Sequence, residues 1–266
     1  MNKSSKIWMA LLSAVLVACA YLIHTDSLAG TTEIPQEGQF AYYPLDGNAE
    51  DWSDNEHDGT IVGDVTPTED RFGVTDGACY FNGTNARIDI PHHDNLEYTG
   101  TNSLTISCWV RLDDPFVPHG AIVCKGGSPG DITGVSSYCI PFTTDRRPAA
   151  YINHYASSGF NGLESSEVLT LGEWYHIAVV FDGSDVTLFI NGEPDTSAVF
   201  TNKPSENTEP LYVGLDADGA DEYLHGALDC LFIYNRALTE TEIEMLFGAP
   251  TAPERPSWGG VKNKFR

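Results

Sequence analysis

From Phe40 to Ala237 the apolar residues fall in short runs separated by turn-forming residues, with no long helical period. SLTISCWVRL (103–112), EWYHIAVVF (173–181) and DVTLFING (185–192) are rich in β-branched and aromatic side chains, which fit a pleated, packed surface. In EWYHIAVVF both alternating faces are apolar, the pattern of a strand buried inside a sandwich. The turns carry Asp46-Gly47, Asn82-Gly83, Asp182-Gly183 and Asn191-Gly192, pairs that tolerate the positive φ of tight turns. IAVVFDGSDVTLFING therefore predicts a hairpin turning at Asp182 to Asp185. The period changes once, in ALTETEIEMLFG: Thr239 and Glu242 have capping-box spacing, and Ile243, Leu246 and Phe247 make one apolar stripe. Gly248 suits the C-terminal cap and Pro250 blocks continuation. Many short strands and one terminal helix predict an all-β fold, an antiparallel β-sandwich of jelly-roll type.

Composition narrows the partners. The chain has 266 residues, 41% hydrophobic, with 14 Lys and Arg against 38 Asp and Glu and a net charge of −24. Such a charge disfavours nucleic acid and anionic membrane surfaces. Residues 1–29 read as an export signal: MNKSSK is basic and Ile7 to Ile23 is an unbroken apolar run. Three endings are open: cleavage after Ala29, lipidation of Cys19 in the lipobox-like Leu16-Val17-Ala18-Cys19, or an uncleaved anchor; lipidated or uncleaved, this segment would be the chain's one membrane contact. Each places the domain, 40–248, in an oxidising compartment, secreted or at the cell surface or periplasm. Residues 30–39 read as a linker and 249–266 as a flexible basic tail. Cys79, Cys108, Cys124, Cys139 and Cys230 are an odd number, so not all can pair within the chain. Cys124 and Cys139 flank a Gly-rich loop and are the pair expected to form a disulfide; free buried cysteines are the alternative.

The last strand, HGALDCLFIYNRAL (225–238), poses a problem: Asp229 lies among Leu228, Leu231, Phe232 and Ile233, and a carboxylate in a sheet needs compensation. This block, with AYYPLDGNAEDWSDNEHDGTIVG (41–63), DRFGVTDGACYFNGTNARIDIP (70–91), SLTISCWVRL and GEWYHIAVVFDGSDVTLFINGE (172–193), resembles the laminin G-like, concanavalin A-like lectin/glucanase superfamily. The resemblance implies two stacked antiparallel sheets, an extracellular setting, binding of carbohydrate, other polymers or proteins, and often a structural Ca2+. By that resemblance the ion would be held by Asp46, the carbonyl of Gly83 and Asp229, consistent with the oxygen ligands Ca2+ takes. The alternatives are an outward-facing Asp229 or an ion pair with Arg87 or Arg236. Two more acidic stretches, 48–59 and 216–222, read as solvated loops; the second begins D-x-D-G, but Ala227 stands where an EF-hand has its glutamate.

Catalysis is not expected. The hydrolases of the superfamily carry E-x-D-x-x-E in a central strand, whereas SCWVRL and WYHIAVVF contain no acid. The expected function is a non-catalytic extracellular binding module for carbohydrate or polysaccharide with a structural calcium; the alternative is a structural or adhesive surface protein with protein partners. RRPAAYINHYASSGFNG (146–162) supplies the ligand-binding candidates Arg146, Tyr151, His154 and Tyr155, because sugars are held by aromatic faces and polar side chains.

Overall fold

The computed structural model describes residues 34–97, 103–127, 136–152, 161–200, 207–217 and 222–249. The expected export segment, most of the expected tail, His154 and Tyr155 lie outside the described residues. The strands are β1 (Gln39–Tyr43), β2 (Thr60–Val62), β3 (Thr66–Thr68), β4 (Ala78–Asn82), β5 (Arg87–Ile90), β6 (Leu104–Leu112), β7 (Ala121–Gly126) and β8 (Ser136–Pro141). They continue with β9 (Ala149–Ile152), β10 (Asn161–Glu164), β11 (Trp174–Phe181), β12 (Asp185–Ile190), β13 (Glu193–Val199), β14 (Leu211–Val213) and β15 (His225–Tyr234), and helix α1 (Glu240–Phe247) follows.

Two antiparallel sheets result. The first runs β13-β12-β11-β6-β15-β4-β3, with β1 also on β15; the second runs β10-β9-β8-β7-β14-β5-β2. Their inner faces meet in one core, to which Phe81, Ile106, Val179 and Leu231 come from the first sheet and Ile88, Ile140, Ile152 and Val213 from the second. This is the jelly-roll sandwich that the strand pattern predicts. Strand β11 lies between β12 and β6, which explains why its sequence is apolar on both faces. The β11–β12 turn closes with the amide of Asp182 donating to the carbonyl of Asp185 at 3.0 Å. At the next turn Asn191 and Gly192 take φ of 52° and 85°, the left-handed pair that a two-residue hairpin favours.

The outer face of the first sheet is covered around β1, β15 and β6. Helix α1 starts with the capping box: the Thr239 side chain accepts from the Glu242 amide, and the Glu242 carboxylate accepts from the Thr239 amide. Its Ile243 and Leu246 pack with Tyr42, Phe189, Phe232 and Tyr234, and Phe247 stacks on Trp109. The folded unit is longer than 40–248. Ile34 packs on the same cluster, the Pro35 carbonyl accepts from the Tyr234 hydroxyl at 3.0 Å, and Ala249 is buried. The last residues of the expected linker and the first of the expected tail thus belong to the domain.

Candidate functional site

Strand β15 does not run straight through Asp229. Its first half pairs with β4 (Leu228↔Cys79) and its second with β1 (Leu231↔Tyr43). Between them the register against β6 shifts at Asp229/Phe232, and Cys230 adopts φ 54°. This bulge turns Asp229 to the outer side, where Arg71 meets it. Arg71 also donates to the Ala249 carbonyl at 2.7 Å and lies 4.7 Å from the centre of the Trp109 ring. Burial pushes the Asp229 carboxyl up to about 6, while the Arg71 guanidinium pulls the other way. The compensating charge is therefore Arg71, not Arg87 or Arg236, which pair with Asp89 and Glu242.

Of the calcium residues inferred from the resemblance, Gly83 does not lie beside Asp229. Antiparallel register places Asp229 beside the start of β4, whereas Gly83 follows its end, roughly 16 Å along the ladder at the usual rise per residue. Asp46 and Asp229 both act on Tyr42 and Cys79, and Asp46 neighbours Asp70: its pKa is raised, first by burial and then by the Asp70 charge. Asp70 is 4% exposed and organises the loop that carries Arg71. Its Oδ1 accepts from the amides of Phe72 and Val74, both at 2.8 Å, and its buried Oδ2 has no hydrogen-bond partner.

The acidic stretches are not simply solvated. Asp51 is buried and gathers its loop, accepting from the amides of Tyr42, Ser53 and His57, each at 2.9 Å. Asp216 is 1% exposed.

The seven-stranded sheet presents a different outer face. Its registers align Tyr151↔Cys139, Cys139↔Cys124, Cys124↔Tyr212, Tyr212↔Asp89 and Asp89↔Thr60. One row, Tyr-Cys-Cys-Tyr-Asp-Thr, thus crosses the sheet with strands about 4.8 Å apart. Tyr151, Cys139, Cys124 and Tyr212 pack together with Leu215 and Ala217, and Tyr223 packs against them. Two residues along β5, Arg87 grips Asp89 with both oxygens at 2.7 and 3.2 Å. Its pKa is raised chiefly by that hydrogen bond and further by Tyr223. Tyr151 and Tyr212 are buried, whereas Arg87, Asp89 and Tyr223 are partly exposed. Cys124 and Cys139 face each other across β7 and β8, the placement that the expected disulfide needs. Arg146 stands apart: it has φ 68° in the turn before β9, and its Nε donates to the Leu169 carbonyl at 2.9 Å, a loop-fixing contact.

Of the sequence candidates the structure thus places Tyr151 in this row. Sequence reasoning missed Tyr212, Tyr223, Arg87 and Asp89. The signal was the alternation in ARIDIP and PLYVGL, which places Arg87, Asp89 and Tyr212 opposite the core-facing Ile88, Leu211 and Val213.

Residues 82–244 match the family described as the concanavalin A-like lectin/glucanases superfamily. In sequence the chain is similar to a mosquitocidal protein of Paraclostridium bifermentans, 23% identical over 175 residues; the match covers 62% of this chain and 14% of that protein. The binding domain of that protein is similar in structure, with a TM-score of 0.63, 18% identity and coverage of 80% of this chain and 52% of that one. Domain 4 of an extracellular arabinanase from Geobacillus stearothermophilus, solved with arabinotriose, gives 0.61 at 20% identity, covering 78% of this chain and 97% of that one. The binding domain of a botulinum neurotoxin, solved with rat synaptotagmin II, gives 0.60 at 11% identity, covering 80% and 52%. The chain thus spans about half of each toxin binding domain and nearly all of the arabinanase domain.

Proposed function

The chain belongs to the concanavalin A-like lectin/glucanases superfamily, and from that premise we propose that it is a non-catalytic extracellular binding module taking carbohydrate on the outer face of its seven-stranded sheet. The observation that carries this reading is the row across that face, where the partly exposed Arg87–Asp89 pair lies beside Tyr212 and near Tyr223. Rings offer apolar faces to a sugar, and an Arg–Asp fork donates to and accepts from its hydroxyls. The arabinanase domain bound to arabinotriose supports it, as does the absence of acids in SCWVRL and WYHIAVVF, the sequences of β6 and β11. The setting outside the cell is supported by the export-like segment and by the extracellular arabinanase.

The test is a glycan and polysaccharide array with the wild-type protein, Arg87→Ala and Tyr223→Ala. Wild-type hits weakened tenfold or more in both variants are expected; hits unchanged by both would move the site elsewhere. A second reading, a protein partner, is favoured by the exposed apolar tip Phe72 and Val74 and by the neurotoxin domain solved with synaptotagmin. It predicts silence on the array and capture of a protein ligand that Phe72→Ser abolishes.

A structural Ca2+ also fits, at Asp46 and Asp70 in place of the Asp46, Gly83 and Asp229 set. Asp46, whose pKa is raised by burial and then by the Asp70 charge, and Asp70, with a buried oxygen lacking a hydrogen-bond partner, suit a hard cation. The ion would neutralise them and fix the loop that holds Arg71. Ca2+ is expected to raise the Tm of the wild type but not of Asp70→Asn; equal shifts in both would exclude these ligands.

A further inference from the structure

The seven-stranded face holds a second kind of chemistry. Cys124, Cys139 and Asp216 come from β7, β8 and the segment after β14, and their ligand atoms all lie within 4.8 Å of one another. All three residues are buried. The Cys124 thiol donates to Asp216 Oδ1 at 3.6 Å, and the two cysteines are cross-strand partners. Asp216 is held where it is by a short hairpin: its amide donates to the Glu222 carbonyl at 3.1 Å, and Leu215 bridges Tyr223.

We infer that Cys124, Cys139 and Asp216 form a site for a thiophilic divalent cation, Zn2+ being the best match. Zn2+ takes thiolate sulfur at about 2.3 Å and carboxylate oxygen at about 2.0–2.2 Å, which at a tetrahedral angle separates the two ligand atoms by about 3.6 Å. The observed sulfur–oxygen distance is 3.6 Å, so one edge of the coordination polyhedron is already set. Two thiolates and one carboxylate are a borderline-soft donor set that disfavours Ca2+ and Mg2+. Binding releases the thiol protons to solvent, places a positive charge beside a buried carboxylate, and leaves the fourth position to water. The three ligands join two strands to the hairpin that carries Tyr223, so the metal would fix the floor and one wall of the binding face. A disulfide between the same cysteines would use neither Asp216 nor its position. The inference does not depend on what the face binds.

The test uses the full chain, purified with and without reductant, stripped with chelator and titrated with Co2+ and then Zn2+. Binding of one Co2+ per chain with thiolate-to-metal charge-transfer absorption, displaced by Zn2+, is expected. Cys124→Ser, Cys139→Ser and Asp216→Asn should each weaken binding at least tenfold, whereas Cys108→Ser on the other sheet should not. Zn2+ should also raise the Tm of the wild type in proportion to the logarithm of its concentration, a readout that stands even if a cysteine variant folds poorly. No charge-transfer absorption, or affinity unchanged in Asp216→Asn, would overturn the site. So would a protein purified without reductant that is lighter by two hydrogen atoms and shows Cys124 and Cys139 joined by peptide mapping.

Discussion

Two regions of the outer surface have opposite characters. On the eight-stranded sheet, helix α1, Ile34 and the Arg71–Asp229 pair cover the surface around β1, β15 and β6, while Arg111 and Asp113 stay partly exposed beside Trp174. His176, buried beside Trp109 and Phe247, shares a 2.7 Å hydrogen bond between its Nε2 and Ser107. On the seven-stranded sheet, tyrosines, thiols and an Arg–Asp pair lie in one row, with part of it reaching solvent. The difference teaches where to look for function in a sandwich whose two outer faces both carry charged residues: a buried ion pair such as Arg71–Asp229 marks construction, and a partly exposed one in line with tyrosines, such as Arg87–Asp89, is the candidate for recognition.

The largest effect should come from breaking the sealed face. Arg71→Ala leaves Asp229 charged and unpaired in a buried setting, a change that costs about 3–5 kcal/mol, and a fall in Tm or in the denaturant midpoint checks it. The pH dependence of the same face comes next. The folded pKa of Asp229 is raised from 3.8 to about 6, so its contribution to stability is full below 3.8 and is lost as pH rises through 6. That of His176 is lowered from 6.5 to about 3, mainly by burial, so its contribution is present above 6.5 and is lost as pH falls through 3. The two oppose each other between about pH 4 and pH 6. Asp229→Asn should make the loss of Tm on acidification steeper, and His176→Gln should make it shallower. A smaller effect is expected at the seal's edge, where Thr239→Ala removes the cap of α1 and costs about 1 kcal/mol by denaturant unfolding. The smallest change in stability belongs to the open face. Arg87→Ala breaks a partly exposed pair and should shift unfolding by less than about 1 kcal/mol, while abolishing the array signals that Thr239→Ala leaves intact.

Much of the fold was legible because alternation reports burial directly. EWYHIAVVF read as an interior strand and lies between two others, and Thr239 with Glu242 read as a capping box and forms one. Asp229 was legible as a problem but not in its solution. Its partner is 158 residues away, and a bulge, which alternation does not encode, decides which way its carboxylate points. Gly83 failed for the same reason: its distance from Asp229 depends on the register of β4 against β15. The row across the second sheet was hidden because its members lie on six strands from β2 to β14, and only the registers line them up. Tyr151 was found since it stands in an aromatic-rich run; for Tyr212, in a strand of three residues, the alternation of PLYVGL gives the side it faces but not its neighbours in the row.

The division between a sealed and a receiving face can be mapped directly by hydrogen–deuterium exchange with and without a saturating array-positive glycan. Slower exchange in peptides covering 87–90, 149–152 and 211–217, with 71–77 and 240–249 unchanged, is the predicted result. Protection confined to 71–77 or 240–249, with the seven-stranded sheet unaffected, would contradict it.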